Sequence, residues 1–175
     1  MRKTTISVAA ILGGLVITGA AIGAGNSNKY AAVKQQPDGM WADKDGTPTF
    51  KIEPDGTVDW YTFDGYLQYS ANCLQCHGPD GLGSSYGPDL AHALKTLSYA
   101  QFLGTVAGGK KAVSTSQQLV MPAFGLNKNV MCYINPIYVY LRARAEGALG
   151  RGRPAKNVPV PAAFNKEVDA CFGPS

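Results

Sequence analysis

From Asp59 to Ala71 the apolar residues recur one helical turn apart. Phe63, Tyr66 and Leu67, with Ser70 on the same face, follow i, i+3, i+4, i+7 spacing. That spacing predicts a helix, capped by Asp59 or Thr62. Ser98 is a good N-cap for a second helix running through Val106, with Phe102, Leu103 and Val106 inward and Gly108-Gly109 as the stop. The strongest helical pattern spans residues 130–149, where Tyr133, Ile137, Tyr140 and Leu141 sit at i, i+4, i+7, i+8. Pro136 interrupts it, which predicts a start near Asn135 with Pro136 in the first position, and Gly150 ends it. A short helix is predicted over residues 90–97. Residues 78–87 hold four glycines without periodicity and predict a tight loop. Residues 110–130 also lack a regular pattern.

Ahead of the first helix, residues 25–58 form an arm. Phe50 to Glu53 and Thr57 to Trp60 alternate apolar and polar on either side of the turn Pro54-Asp55-Gly56, which predicts a small β-hairpin. Residues 150–175 contain four prolines and predict an extended tail. The expected architecture is mostly α: a helical domain over 59–149, an N-terminal arm and a C-terminal tail.

The chain opens on Met1-Arg2-Lys3 and then runs uncharged to Asn28, rich in Ala, Ile, Val and Leu. A basic start, an apolar stretch and small residues near Ala21 to Gly25 predict a secretory signal over residues 1–24. The body of the protein is then expected in the periplasm, where cysteines can oxidise. An uncleaved membrane anchor is the alternative, weakened by the five glycines of Gly13 to Gly25. A charged share of 16% speaks against disorder and coiled coils, and a net charge of +4 without basic clusters speaks against nucleic-acid binding. The charge is uneven: residues 25–94 carry four basic and nine acidic side chains, residues 95–175 ten and three. Such polarity suits a molecule that orients on a partner.

Cys73-Leu74-Gln75-Cys76-His77 reads C-x-x-C-H, the attachment pattern of haem c. Two thiols one helical turn apart reach the two vinyl groups on one porphyrin edge, and the following imidazole reaches the iron. A thioredoxin-like site would need a βαβ context, and a zinc site a second ligand pair; Cys132 and Cys171 are not spaced as one. The iron's sixth ligand comes from Met121, Met131, His92 or Met40. Met121 is foremost: Pro122 holds its backbone extended, and a loop can carry it over the face opposite His77. Pro88, after the glycine-rich loop, can turn its carbonyl toward His77, since an axial imidazole usually donates its second N–H to a carbonyl. With Cys73 and Cys76 used by haem, Cys132 and Cys171 remain as an even pair and are expected to form a disulfide in an oxidising compartment.

These segments resemble class I cytochromes c: an aromatic helix ending in Cys73-x-x-Cys76-His77, then Gly87-Pro88-x-Leu90, then Met121-Pro122 before a Tyr-rich helix. A narrower resemblance covers nearly the whole mature chain. Asp59-Trp60-Tyr61-Thr62-Phe63, His77-Gly78-Pro79-Asp80-Gly81, Val120-Met121-Pro122-Ala123-Phe124-Gly125 and Gly150-Arg151-Gly152-Arg153-Pro154 look like the cytochrome that accepts electrons from PQQ-dependent methanol dehydrogenase, closest to the branch paired with lanthanide-dependent enzymes. The resemblance implies a periplasmic carrier with His77/Met121 ligation. Such a carrier passes its electrons to a second cytochrome c or a terminal oxidase.

Two other classes are weighed. A haem enzyme or sensor needs an open iron position and usually a second haem or a distal acid–base group, whereas one C-x-x-C-H and one spare histidine, His92, are present. A membrane-anchored subunit of a respiratory complex would need the N-terminal stretch uncleaved. For docking, the exposed haem edge predicts a patch of Leu74 and Gln75 with Pro122, Ala123 and Phe124, and Lys110, Lys111 and Lys128 as steering charges on its rim.

Overall fold

The structure is a computed structural model that describes residues 29–113 and 118–174. The expected signal segment, residues 1–24, lies outside the described residues. The arm begins with three two-residue strands, β1 (Lys34–Gln35), β2 (Trp41–Ala42) and β3 (Pro48–Thr49), paired antiparallel in that order. Turns at Gly39 and Gly46 join them, closed by bonds from Gly39 N–H to the Gln36 carbonyl and from Gly46 N–H to the Asp43 carbonyl. The hairpin expected around Pro54-Asp55-Gly56 shrinks to one bridge, Ile52 to Val58. Both backbone groups of Val58 are drawn to the far end of the chain instead: its N–H donates to the Lys156 carbonyl and its carbonyl accepts from Val158 N–H. The next residue, Asp59, already caps the first helix, so no strand can continue.

That helix, α1 (Trp60–Asn72), starts where the Asp59 side chain accepts from Thr62 N–H at 3.0 Å. It crosses the last long helix of the domain at Gly65, where a Cβ would stand 2.0 Å from the Pro136 carbonyl oxygen. Only a residue without a side chain allows that approach. Around the crossing, the Tyr140 ring lies 5.7 Å from that of Tyr66 and 5.4 Å from that of Tyr69. A single turn, α2 (Leu74–His77), and a short 3₁₀ turn, Pro79–Gly81, follow. Then come α3 (Leu90–Ala93), half the expected length, and α4 (Tyr99–Gly108), whose Ser98 and Gln101 form a reciprocal capping box.

The stretch expected to be irregular carries regular structure. Strands β4 (Lys110–Val113) and β5 (Gln118–Met121) pair antiparallel with Lys110 opposite Met121, and α5 (Lys128–Met131) follows. The last domain helix, α6, is Ile134–Ala145. Pro136 therefore sits inside its first turn, where an N–H would have no helical partner in any case. The tail, expected to be extended, instead ends in α7 (Ala162–Phe172), whose Phe164 ring packs edge-on against Tyr61 at 5.1 Å and Trp60 at 5.9 Å. Cys132 and Cys171 form a disulfide with Cα atoms 5.7 Å apart, fastening α7 beside α5.

A buried cation links α6 to α3. The fully buried Arg142 guanidinium donates to the carbonyls of Leu94 and Leu97, at 2.5 and 3.1 Å, and lies 3.9 Å from the Tyr30 ring centre. A buried charge costs several kcal/mol unless bonded in this way. Its two carbonyl partners hold the turn after α3, and both leucine side chains of that turn line the cleft described next.

Candidate functional site

Cys73 closes α1, its N–H donating to the Tyr69 carbonyl at 2.8 Å. The chain turns once more through α2, so that His77 N–H and Cys76 N–H both bond the Cys73 carbonyl. Gly78, at φ 71°, then stops the helix. The local sequence compels this: four residues form one turn, and a glycine takes the positive φ that ends it. Neither Cys73 nor Cys76 is in a disulfide; Cys73 is half-buried and Cys76 exposed. Burial, and secondarily the neighbouring Cys76, pushes the Cys73 thiol up to about 12. It is held as S–H.

His77 is buried, and its place is determined from several sides. Its Nδ1 lies 3.0 Å from the Pro88 carbonyl oxygen. A carbonyl only accepts, so Nδ1 carries the proton and Nε2 keeps its lone pair. Gly87 lies flat against the imidazole: a Cβ there would stand 2.9 Å from Nδ1 and 2.8 Å from the Cys76 carbonyl oxygen. Gly83 N–H donates to the His77 carbonyl, the Ser84 hydroxyl to the Cys76 carbonyl, and the Tyr69 hydroxyl to the Gly78 carbonyl. The glycine-rich loop is thus a fitted backing for α2.

His77 and Cys73 open on a cleft with about 540 Å³ of empty space, counting the part open to solvent. Leu90, Leu94 and Leu97 line one side; Phe102, Thr105 and Val106 of α4 line another; Ile134, Ile137 and Leu141 of α6 form the floor. Met121 and Phe124 complete the wall. Met121 is half-buried at the end of β5. The segment beyond it is strapped to the end of α4 by Phe124 N–H to the Val106 carbonyl and Gly125 N–H to the Ala107 carbonyl, each at 3.0 Å. The cleft therefore gathers a thiol, an imidazole with one nitrogen free, a thioether and otherwise almost wholly apolar walls. A second thiol, that of Cys76, is exposed one residue before His77. This donor set in an apolar slot fits haem c.

The other sixth-ligand candidates lie elsewhere. Met40 and Met131 are half-buried against the core, and His92 is exposed on α3, its N–H bonded to the capping Asp89; none of the three lines the cleft. Of the predicted docking residues, Leu74, Gln75, Pro122, Ala123, Lys110 and Lys111 are exposed and Phe124 is half-buried. Lys128 is not a free charge: its ammonium donates to the Phe172 carbonyl at 2.6 Å, at the C-terminus of α7, where a cation suits the helix dipole. Three further apolar side chains are exposed: Tyr86, Val120 and Leu126, at 72%, 58% and 101% exposure. Only Val120, next to Met121, carries a signal in the sequence. Gly87 and Gly109 were also missed as site residues, since a close backbone approach leaves no periodicity to read. No helix among the described residues is long and apolar enough to cross a membrane.

The sequence profile of the Cytochrome c family matches residues 64–127. The chain is 52% identical over 135 residues to cytochrome c-553I of Paracoccus denitrificans, covering 77% of this chain and 60% of that protein. It is 36% identical over 96 residues to cytochrome c-555 of Methylococcus capsulatus, covering 54% of this chain and 72% of that one. Among solved structures it resembles the c-type cytochrome XoxG from Methylobacterium extorquens AM1, with a TM-score of 0.75 and 52% identity over 82% of this chain and 87% of that chain.

Proposed function

The chain belongs to the cytochrome c family and is thus a carrier of covalently bound haem c rather than an enzyme; from that premise we propose that it takes electrons from a PQQ-dependent methanol dehydrogenase of the lanthanide type. The observation that carries the electron-transfer chemistry is the meeting of Cys73, His77 and Met121 in one apolar cleft. Haem c held there supplies a one-electron couple at its iron. Cys73 and Cys76 would tether it by thioethers. His77 Nε2 and the Met121 thioether would be the ligands to its iron, the same pair in both oxidation states. The Pro88 carbonyl fixes the imidazole's tautomer and keeps it basic. The leucine and isoleucine walls exclude water and favour the less charged, reduced state.

The donor assignment rests on the likeness of several segments to methanol dehydrogenase acceptors, extending from Asp59 to Pro154, together with the 52% identity to XoxG. In this reading residues 1–24 export the chain, residues 59–149 carry the haem in the periplasm, and the acceptor is a second cytochrome c or a terminal oxidase. The test is stopped-flow reduction of the oxidised holoprotein by purified lanthanide-type methanol dehydrogenase with methanol. Reduction on the time scale of turnover is expected. No reduction, while an artificial acceptor still supports the dehydrogenase, would remove this donor and leave the carrier function standing.

A further inference from the structure

Gly109 caps the end of α4 and turns the chain into β4. Its backbone has φ 72° and ψ 179°, a region essentially reserved for glycine. What lies above it matters as much. A Cβ on Gly109 would stand 2.7 Å from the Met121 carbonyl oxygen, 2.9 Å from Ala123 N and 3.0 Å from the Pro122 carbonyl carbon. All three are backbone atoms, which cannot swing aside as a side-chain tip can. Its neighbour Gly108 has nothing within 4 Å of a Cβ, and neither has Gly104 one turn earlier.

The arch over Gly109 is pinned at both ends. On one side Met121 pairs with Lys110, the residue directly after Gly109. On the other, Phe124 and Gly125 bond the carbonyls of Val106 and Ala107, just before Gly109. Met121–Pro122–Ala123 thus crosses the helix end in contact with it. The same helix supplies Phe102, Thr105 and Val106 to the cleft wall. The height of the Met121 backbone above that wall is set by how closely the arch sits on position 109.

We propose that Gly109 is the positioning residue for Met121: its missing side chain lets the β4–β5 hairpin settle low enough for the thioether to reach the cleft. This rests on the reading of Met121 as the sixth ligand. A side chain at 109 meets the arch and its rigid backbone at once, and relief lies only in lifting Met121 away.

The test uses the holoprotein, with Gly109→Ala, Gly109→Asn, Gly108→Ala and Met121→Ala variants. At ψ 179° Ala and Asn strain the backbone alike and carry the same Cβ, so the pair reads the same collision through two side chains of different polarity. Three readouts are taken beside far-UV circular dichroism and haem content: the weak red methionine-to-ferric-iron band, the reduction potential, and CO binding to the ferrous form. Both Gly109 variants should lose the red band, bind CO and fall in potential, since methionine ligation raises it. Gly108→Ala should match the parent protein. A parental red band and potential in either folded Gly109 variant would overturn the proposal. So would equal losses in Gly108→Ala, or failure of both Gly109 variants to yield folded, haem-loaded protein, which would assign Gly109 to folding alone. Survival of the band in Met121→Ala would instead refute the ligand reading beneath it.

Discussion

The imidazole of His77 is held between a carbonyl and a glycine: Pro88 O lies 3.0 Å from its Nδ1, and Gly87 faces the ring with no side chain. With His77 as the proposed iron ligand, the bond would make the imidazole a stronger donor at Nε2, which would stabilise the oxidised iron and lower the potential. Gly87→Ala would place a methyl 2.9 Å from Nδ1 and turn the ring off Pro88. The expected result is a higher reduction potential with the red methionine band intact, read by redox titration. This is opposite in sign to the effect of losing the methionine. An unchanged potential would show that the ring absorbs the methyl without losing its bond.

The Cys132–Cys171 disulfide closes a loop of 39 residues. In the chain-entropy description this limits the unfolded chain by ~4 kcal/mol. A Cys132→Ala/Cys171→Ala double variant should lose stability of that order in denaturant unfolding while keeping its haem spectrum, since neither cysteine lines the cleft. An altered red band in the folded variant would mean that α7 is coupled to the Met121 arch.

Asp64 predicts a pH dependence. Its carboxyl is 5% exposed on α1; Oδ1 accepts from Gln68 at 3.3 Å, and Oδ2 has no partner among the described residues. The nearby titratable groups that feel its charge, Tyr61 and Tyr133, are neutral phenols. Burial pushes its pKa up from 3.8 to about 6. Between those two values the native state binds more protons than the unfolded chain, so stability falls as pH rises through that window. Asp64→Asn should therefore stabilise the protein at neutral pH by ~1–3 kcal/mol, with the gain vanishing below the unfolded pKa. Urea unfolding at both ends of the window checks it. A less stable Asn variant at neutral pH would show that the carboxylate has a stabilising partner.

Helices α1, α4 and α6 and the turn that carries Cys73, Cys76 and His77 were legible in the sequence, because their signals are local. The α1 pattern, the Ser98 cap and C-x-x-C-H each declare themselves within a dozen residues. The hairpin carrying Met121 was not, since Lys110 to Val113 pairs with Gln118 to Met121 without alternation in either strand. What orders it is the fit of its arch over Gly109. The terminal helix hid behind Pro154, Pro159 and Pro161, although Phe164, Val168 and Cys171 are spaced as one helical face. Prolines before a helix are compatible with its start, and here Pro161 is its N-cap. Lys128 looked like a rim charge because sequence shows its neighbours along the chain, not the Phe172 carbonyl folded back onto it.

The remaining rim charges lead to the last prediction. Lys110 and Lys111 are exposed on β4, opposite Met121 and Val120 of β5. Their ammonium groups are therefore carried on the strand beside the proposed iron ligand. Beside them on β5 and the arch that follows it, Val120, Pro122 and Ala123 are exposed and apolar. An electron-transfer encounter must be brief, so such a centre gives contact while charges at its edge guide approach. A Lys110→Glu/Lys111→Glu variant should be reduced by the cognate dehydrogenase more slowly at low ionic strength, by on the order of tenfold. The gap should close as salt is raised, because charges more than about 10 Å apart are screened near 0.1 M. Lys128→Ala should leave that rate unchanged and cost a little stability instead, through the lost bond to Phe172. Equal rates for the double variant and the parent at low salt would take Lys110 and Lys111 out of the docking surface. A slower rate that salt does not alter would point to a displaced Met121, and the red band would then be lost with it.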